Sequence, residues 1–342
     1  MISIGTLVDG KYKVLKEIGR GGMGVIWLAI NERLDRTVAM KQIQKTGTDH
    51  DIVFTKSLIA ELDILKSLSH PGLPTLYDFI NTDDEFILVM TYFKGRPLTK
   101  LLQEQGAQPC KCVIDWAEQL CDILKFLHSW TPPFIYGDMK PANIILQENW
   151  RLALIDFGAA SIYGVNDAVA LGTRGYAAPE QYIPGIQVDA RTDIYALGVT
   201  LHQLLTGEDP TKPPYELRPI RQCNPALPER LEWIIEKCTQ RNPEDRFQSV
   251  HEVECALKAC KTAPNFRVCK LISKSLSIWK RGWLWKRLKI EGYKPDDIIM
   301  PRIAEEYSLN DIKTNITGDL DLINYNAELI MRLQSDAENT ED

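Results

Sequence analysis

The hydrophobic pattern of this chain changes near residue 98. Before that point, the apolar residues form short runs typical of strands, at residues 12–15, 25–29, 37–41 and 86–90. One helix, over residues 58–68, interrupts them, and residues 95–97 have turn chemistry. Beyond residue 98, amphipathic helices are predicted over residues 113–127, 194–205, 231–238 and 250–257. This order predicts an α+β fold in which a small β-rich lobe precedes a larger α-helical lobe.

The composition is that of a soluble globular chain and argues against several functions. Of 342 residues, 44% are hydrophobic, and the formal net charge is −6, whereas bulk nucleic-acid binding usually needs a basic surface. No apolar run approaches the ~18 residues that span a bilayer. The N-terminus lacks the basic start and apolar run of a secretory signal. We therefore expect a cytoplasmic protein with no nucleic-acid partner.

The eight cysteines are expected to be structural thiols, because cytosolic chains keep their cysteines reduced. Only Cys110 and Cys112 lie close together, and no second close pair of Cys or His residues completes a zinc ligand set. A zinc site is therefore the weaker alternative.

Two short stretches carry groups suited to phosphate and metal chemistry. The first reads YGDMKPAN at residues 136–143, and the second reads DFG and begins at Asp156. Asp138 can orient a hydroxyl and accept its proton, and Lys140 can neutralise charge on a phosphoryl group. The amide oxygen of Asn143 and the carboxylate of Asp156 are ligands that Mg²⁺ prefers. Turn capping explains each residue singly, but not all of them in this order.

A glycine-rich run lies between two predicted strands. Glycines let backbone N–H groups approach phosphate oxygens without interference from a Cβ atom. Strands on both sides favour a phosphate-covering hairpin over the dinucleotide motif, which needs a helix next. The signal is weak alone, because glycine clusters also make plain hairpins. The nucleotide-contacting residues predicted from this run are Ile18, Gly19, Arg20, Gly21, Gly22, Met23, Gly24, Val25 and Ile26.

Two further runs complete an ordered set: VAMK, which ends at Lys41, and GTRGYAAPE, at residues 172–180. Together these motifs resemble the protein kinase family, and most of all its bacterial serine/threonine members. The resemblance implies a bilobal protein-kinase-like fold over residues 11–260. Its N-lobe would cover residues 11–93 and its C-lobe residues 94–260, after a lead-in at residues 1–10.

The resemblance implies ATP as the phosphoryl donor and Mg²⁺ as the metal ion, with Mn²⁺ as an alternative. Lys41 would pair with the α- and β-phosphates, and Glu61 would hold Lys41 by an ion pair. Asn143 and Asp156 would hold the metal ion. The adenine pocket would be formed by Ala39, Met90, Thr91, Phe93 and Ile145.

The resemblance also implies contacts that shape the site. Thr173 would bond to Asp138 and its neighbouring lysine, and would favour serine or threonine acceptors on protein substrates. Glu180 would pair with Arg246, and Asp193 would brace the backbone of the catalytic loop.

The catalytic loop departs from the family pattern at one position that bears on regulation. The family's H-R-D reads Y-G-D at residues 136–138. Gly137 cannot replace the arginine, which receives a phosphate from the activation segment through charge-assisted bonds. Residues 159–171 offer only Ser161 and Tyr163 as hydroxyl side chains. We therefore predict that activity does not depend on phosphorylation of the activation loop.

The composition changes again after Asn265. Residues 267–289 hold eight basic residues, no acidic one and three tryptophans. Apolar residues recur there at helical spacing, so a helix could lie on an anionic membrane surface or on an acidic partner. It could equally pack on the α lobe with its charges solvated, and amphipathicity alone does not separate these alternatives. The first of them would make the protein peripheral at the membrane.

The C-terminal end is acidic, with thirteen acidic residues against four basic ones over residues 291–342. The predicted divisions of the tail are therefore a basic, tryptophan-rich segment at residues 261–290 and an acidic segment at residues 291–342. The acidic segment is expected to be partly helical, with a disordered end.

The leading interpretation is an ATP- and Mg²⁺-dependent protein serine/threonine kinase. A pseudokinase, or ATP-binding scaffold, is the alternative, and loss of Lys41, Asp138 or Asp156 would favour it, but all three are present. A phosphotransferase for small molecules on the same fold is a third possibility, since fold alone does not set the substrate. Lys140 and Thr173 argue for protein substrates.

Overall fold

The structure is a computed structural model of the chain. The chain divides into two units, residues 1–258 and 259–342. The predicted helix over residues 58–68 falls almost wholly outside the described part, and so do the predicted tail segments beyond residue 262. The structure describes residues 2–21, 24–45, 66, 68–156, 161–162 (backbone only), 172–183, 185–186 and 188–262.

An antiparallel sheet of six strands forms the N-terminal lobe and confirms the four predicted strand regions. Its strands are β1 (Leu7–Val8), β2 (Tyr12–Gly21), β3 (Gly24–Asn31), β4 (Arg36–Gln44), β5 (Leu76–Asn81) and β6 (Glu85–Thr91). They lie side by side in the order β1-β2-β3-β4-β6-β5.

Side-chain alternation along β4 divides this sheet into two faces. Val38 and Met40 are buried in the core of the lobe, whereas Lys41, the next residue along the strand, points to the opposite face. The predicted lead-in covers the core face, because Ile2 and Val8 belong to the same buried cluster. Lys41 is thereby left on the face away from the core of the lobe.

Two smaller sheets follow. Residues 95–97, predicted as a turn, form a strand instead, and that prediction was wrong. A Cβ atom on Gly95 would lie 2.3 Å from the carbonyl oxygen of Leu146, so the glycine permits close strand approach and does not serve a turn. One sheet has the strands β7 (Gly95–Pro97), β9 (Ile144–Gln147) and β10 (Leu152–Leu154), and the other β8 (Phe134–Ile135) and β11 (Ser161–Ile162).

The C-terminal lobe is helical, and all four helices predicted there are confirmed. The helices are α1 (Leu98–Gln105), α2 (Cys110–His128), α3 (Ala190–Thr206), α4 (Ile220–Cys223), α5 (Glu229–Cys238) and α6 (Val250–Thr262). The described part of this lobe also contains 3₁₀ turns at Pro141–Asn143, Pro179–Tyr182 and Pro243–Asp245.

Helix α3 is the buried centre of this lobe. Asp189 caps its N-terminus, where the side chain accepts a hydrogen bond from the backbone N–H of Arg191 and so satisfies a free donor of the first turn. Gly207 caps its C-terminus with a left-handed φ of 74°, a conformation that glycine adopts at helix ends. No helix in the described part of the chain is both long enough and apolar enough to traverse a bilayer.

Two cysteines of this lobe behave as expected of structural thiols. Cys121 and Cys238 are both fully buried. Burial raises the pKa of the Cys121 thiol far above its ordinary value and raises the pKa of Cys238 to about 12. Both therefore remain protonated and unreactive.

Candidate active site

One buried carboxylate holds the backbone of the predicted catalytic loop. Asp193, fully buried on α3, accepts hydrogen bonds from the backbone N–H groups of Tyr136 and Gly137 at 2.9 and 2.8 Å. His128, the last residue of α2, lies 2.8 Å from the same carboxylate through its Nε2 atom. The bracing role predicted for Asp193 is confirmed, and His128 is an addition that the sequence did not indicate.

Four polar side chains meet at the end of this loop: Asp138, Lys140, Asn143 and Thr173, here called the Asp138 group. The Nζ atom of Lys140 donates to Asp138 Oδ2 at 2.6 Å, and Thr173 Oγ1 donates to Asp138 Oδ1 at 2.6 Å. Lys140 also bonds to the Thr173 hydroxyl. The contacts predicted for Thr173 are therefore confirmed. The carboxylate is held in one orientation beside a cation, with both side chains still partly exposed.

The 3₁₀ turn at Pro141–Asn143 directs Asn143 back to the same carboxylate. Its Nδ2 atom donates to the backbone oxygen of Asp138 at 2.9 Å and to Asp138 Oδ2 at 3.0 Å. Because the amide nitrogen makes both bonds, the amide oxygen is directed away from Asp138. That oxygen is the atom that suits a hard cation.

The predicted phosphate-binding lysine and a predicted metal ligand also come together. Lys41 Nζ donates to Asp156 Oδ1 at 2.7 Å, with side chains 13% and 34% exposed. Asp156 has a φ of 66°, a left-handed conformation that is uncommon outside glycine and that clusters at functional sites. Glu61, the partner predicted for Lys41, lies outside the described residues.

A second ion pair joins the segment after Thr173 to the far side of the lobe. Arg246 donates from both terminal nitrogens to the two carboxylate oxygens of Glu180, at 2.7 and 2.8 Å. Burial acts most strongly and would raise the pKa of Glu180, but the hydrogen bonds from Arg246, Thr192 and the backbone, together with the positive charge of Arg246, outweigh it, and the pKa lies below its ordinary value. The predicted Glu180–Arg246 pair is confirmed.

A comparison with protein families agrees with this geometry. The family model of the protein kinase domain matches residues 12–257. This chain belongs to the protein kinase family. The predicted bilobal fold is confirmed by a solved relative, the kinase domain of PknI from Mycobacterium tuberculosis, determined as a double mutant. The two structures agree with a TM-score of 0.62 at 25% identity, over 76% of this chain and 99% of that one.

The curated relatives of this kinase include bacterial serine/threonine kinases, as the motifs indicated. It is 31% identical to a probable serine/threonine-protein kinase of Clostridium acetobutylicum, over 73% of this chain and 40% of the relative. It is 30% identical to PrkC of Bacillus subtilis, over 75% of this chain and 41% of PrkC. It is 27% identical to PknD of Chlamydia trachomatis, over 79% of this chain and 34% of PknD. The chain thus spans about two fifths or less of these relatives.

The glycine-rich loop of this kinase is described up to Gly21 and again from Gly24, so Gly22 and Met23 lie outside the described residues. Gly24 has a φ of 131°, and a Cβ atom there would lie 1.9 Å from the carbonyl oxygen of Gln42. Close contact with strand β4 therefore requires glycine at this position, independently of any phosphate.

The other residues predicted from that loop lie on the paired strands β2 and β3. Arg20 directs its guanidinium to Glu17, with bonds of 3.0 and 2.6 Å, and is exposed. A nucleotide contact from Arg20 would therefore come from its backbone. The remaining members, each exposed or half-buried, are Ile18, Gly19, Val25 and Ile26.

The predicted adenine-pocket residues lie on three strands and the segment that joins the lobes. Ala39 on β4 is directly opposite Met90 on β6. Ile145 is a buried residue of β9, and Phe93 is half-buried after the end of β6. The Thr91 backbone N–H donates to another backbone oxygen, that of Thr75, at 3.0 Å, so an adenine contact from Thr91 would use its carbonyl group.

Gln181 is a positioning residue that the motifs did not reveal. It is 5% exposed, and its Nε2 atom donates to the carbonyl oxygen of Gly137 at 2.9 Å. Its Oε1 atom accepts from the backbone N–H of Ala178 at 2.8 Å. Gln181 therefore joins the segment after Thr173 to the catalytic loop through hydrogen bonds of a neutral amide. The bond to the loop is made at Gly137, the position at which the family has its arginine.

Tyr136, at the position of the family's histidine, is fully buried. Burial raises the pKa of its hydroxyl well above the ordinary value, so the group stays neutral. The hydroxyl donates to the backbone oxygen of Ile155. It thereby joins the catalytic loop to the residue that precedes the predicted metal ligand Asp156.

Proposed function

We propose that this kinase is an ATP- and Mg²⁺-dependent protein serine/threonine kinase, with Mn²⁺ as an alternative ion. The Asp138 group carries this proposal. It combines an oriented carboxylate, a cation and a threonine that contacts both. A docking scaffold with no catalytic role has no need of such an arrangement in a partly exposed position.

Asp138 would orient the acceptor hydroxyl and take its proton as the oxygen attacks phosphorus. Lys140 would stabilise the negative charge that develops next to that oxygen, and Thr173 would keep the carboxylate in its orientation. When bound, ATP supplies the phosphoryl group, and the metal ion neutralises its charge. The protein's contribution is positioning and electrostatics, with no covalent intermediate.

The residues near the Lys41–Asp156 contact fit a nucleotide and a hard cation. Lys41 supplies a positive charge for phosphate, whereas Asp156 and Asn143 supply carboxylate and amide oxygens. We assign these three residues, with the glycine-rich loop and the Ala39 and Met90 pocket, to ATP and its metal ion.

Radiolabelled phosphate transfer from ATP tests the proposal. The wild-type chain with Mg²⁺ and a serine-containing protein should show transfer that Asp138→Ala reduces by several orders of magnitude while ATP binding persists. ATP binding without transfer in the wild type would favour a scaffold. Transfer that Asp138→Ala leaves unchanged would reject Asp138 as the group that takes the proton.

We further propose that activity does not depend on a phosphate in the activation segment. Gly137 offers no charge to receive such a phosphate, and Gln181 supplies an uncharged tie at the same point. Turnover before and after phosphatase treatment should agree. A collapse of turnover after dephosphorylation would contradict this proposal.

For the tail, we propose that the basic residues 267–289 contact an acidic surface, either an anionic membrane or an acidic protein. The kinase would then be cytoplasmic and peripheral at the membrane. We also propose that the kinase domain ends near residue 260, before this segment. Co-sedimentation of the full chain with anionic and neutral vesicles tests the membrane version, which lack of binding to anionic vesicles would remove.

A further inference from the structure

Arg174 lies one residue beyond Thr173, and its backbone is fixed on both sides. The backbone N–H of Thr173 donates to Asp138 Oδ1 at 3.1 Å. Gly175 has a φ of 93°, and a Cβ atom there would lie 2.6 Å from the carbonyl oxygen of Pro210. The chain at Arg174 is therefore held between the Asp138 group and the 210–215 loop.

An aromatic ring then holds the exposed side chain of Arg174. Its Cζ atom lies 4.6 Å from the ring centroid of Tyr215, within the range of a cation–π interaction. Tyr215 is half exposed and has a φ of 63°, which is uncommon for a bulky residue. Its backbone N–H donates to the carbonyl oxygen of Lys212 at 3.0 Å. The ring is thus a fixed support for the guanidinium.

The carboxylates of the neighbouring loop are engaged elsewhere. Glu208 pairs with Arg218, and Asp209 accepts from Thr211 and lies 3.5 Å from Lys212. Glu216 follows Tyr215 and is exposed. Within the described part of the chain, no carboxylate is paired with the Arg174 guanidinium.

The charge of Arg174 also reaches a second exposed aromatic residue. Tyr182 is 57% exposed. Burial of its hydroxyl raises the pKa of Tyr182, and the positive charge of Arg174 opposes that rise. Arg174 therefore presents its charge on a surface that carries exposed aromatic rings and adjoins Thr173. We call Arg174, Tyr182 and Tyr215 the Arg174 surface.

From these observations we infer that the Arg174 surface selects substrates with an acidic side chain within one or two residues of the acceptor hydroxyl. The inference rests on the proposed kinase function. A fixed guanidinium with no carboxylate partner among the described residues lies beside the group that would orient the acceptor. It attracts a carboxylate on the substrate next to the acceptor hydroxyl and repels a substrate lysine at that position. A flanking aspartate or glutamate would thus form the ion pair that Arg174 lacks among the described residues.

The chain's own sequence supplies suitable probes. Ser335 is followed by Asp336, and Thr340 is followed by Glu341. A peptide of residues 331–342 is therefore the acidic probe. The neutral probe replaces its four acidic residues by the matching amides, and the basic probe replaces them by lysine. All three probes keep both acceptor hydroxyls.

The measurement is the ratio of kcat/KM for the acidic probe to that for the neutral probe, in full-length protein. This ratio does not depend on the fraction of active enzyme. We expect about fivefold preference for the acidic probe in the wild type, as for a solvent-accessible ion pair. Arg174→Gln should bring the ratio to about one. Arg174→Glu should reverse it, so that the basic probe becomes the better substrate. Arg221→Gln, which removes an exposed arginine of α4, is the matched control and should keep the wild-type ratio.

Two results overturn the inference while the proposed function stands: transfer that requires Asp138 but shows no acid preference, and an unchanged preference in Arg174→Gln. Absence of transfer to any probe or protein would overturn the proposed function and this inference with it. Loss of preference at 0.5 M salt is also expected, because screening weakens an exposed ion pair.

Discussion

The Asp138 group and the Glu180–Arg246 pair each join a carboxylate to a cation, but they differ in burial. The side chains of Arg246 and Glu180 are 0% and 8% exposed, whereas those of Lys140 and Asp138 are 20% and 14% exposed. Arg246 also fills all its donors. Besides Glu180, it donates to the backbone oxygens of Gln240, Arg191 and Arg241.

This difference separates two kinds of polar cluster in one lobe. A buried, fully bonded pair has no donor left for a ligand, so its removal should affect folding. In the Asp138 group, the Asp138 and Lys140 side chains are partly exposed, so a substrate hydroxyl can approach the carboxylate from solvent. Removal of one of its members should therefore affect phosphoryl transfer far more than folding.

The largest expected effect is on stability, from Arg246→Met. Removal of one partner leaves the Glu180 carboxylate buried without its cation, which should lower the free energy of unfolding by about 3–5 kcal/mol. Urea denaturation followed by circular dichroism measures this change. The double variant Arg246→Met, Glu180→Leu should recover part of the loss, because it removes the uncompensated charge. A loss below ~1 kcal/mol for the single variant, small for breaking a buried pair, would contradict the structural role.

Thr173→Val tests the other side of the comparison. The hydroxyl of Thr173 orients Asp138 and bonds to Lys140, so its loss should reduce kcat by roughly tenfold to hundredfold through misplacement of the carboxylate. Unfolding should change little, because this group is partly exposed.

The matched control is Thr192→Val. The Thr192 hydroxyl donates to Glu180 Oε1 at 3.0 Å and is buried. Its loss should lower the free energy of unfolding by about 1 kcal/mol and leave kcat unchanged. If both threonine variants behaved alike in both assays, the separation between the two clusters would not hold.

Both clusters could be predicted from the sequence because their residues lie in motifs that resemble those of the protein kinase family. Asp138, Lys140 and Asn143 lie in one short run, and Thr173 and Glu180 in another, and the resemblance of these runs to the protein kinase family implied their pairings, including that of Glu180 with Arg246. Two contacts made by residues without a predicted role left no such signal. His128 meets Asp193, and Gln181 meets Gly137, only in the folded lobe.

One error and one omission show the limits of local sequence patterns. Residues 95–97 have the composition of a turn, but Gly95 serves to let the backbone of Leu146 approach. Nothing in residues 95–97 indicates that neighbouring strand. The support of Arg174 by Tyr215 depends on a left-handed backbone at Tyr215. Glycine, the usual marker of that conformation, is absent there.

Gly137→Ala should have a smaller effect, on stability alone. Gly137 has a φ of 77°, and a Cβ atom in this left-handed conformation costs about 1–2 kcal/mol. Gly137→Arg should cost a similar amount, because the strain arises at Cβ. We expect both variants to unfold at lower urea concentration and to remain insensitive to phosphatase. A Gly137→Arg variant that became dependent on phosphorylation would show that the missing arginine alone removed the switch.

A third carboxylate, Glu254, gives the smallest expected effect and extends the comparison. Hydrogen bonds from Lys125 on α2 and Lys258 on α6 lower the pKa of Glu254 to about 2. Because the folded pKa lies below the unfolded value of about 4.3, this contact stabilises the fold above that pH and is lost as the pH falls towards 2. Lys258 is largely solvent-exposed, so we expect at most ~1 kcal/mol at pH 7.

The stability difference between the wild type and Glu254→Gln should therefore shrink as the pH falls from 6 to 3. The exposed Glu244, 2.7 Å from Arg191, supplies the matched control, and Glu244→Gln should show a difference near zero throughout. A difference for Glu254→Gln that stays flat over this range would mean that Glu254 gains no more stability from its lysine partners than the exposed Glu244 gains from Arg191. Stabilisation by ion pairs in this lobe would then require burial of both partners, as in the Arg246–Glu180 pair, because Glu254 is buried but its lysine partners are partly exposed.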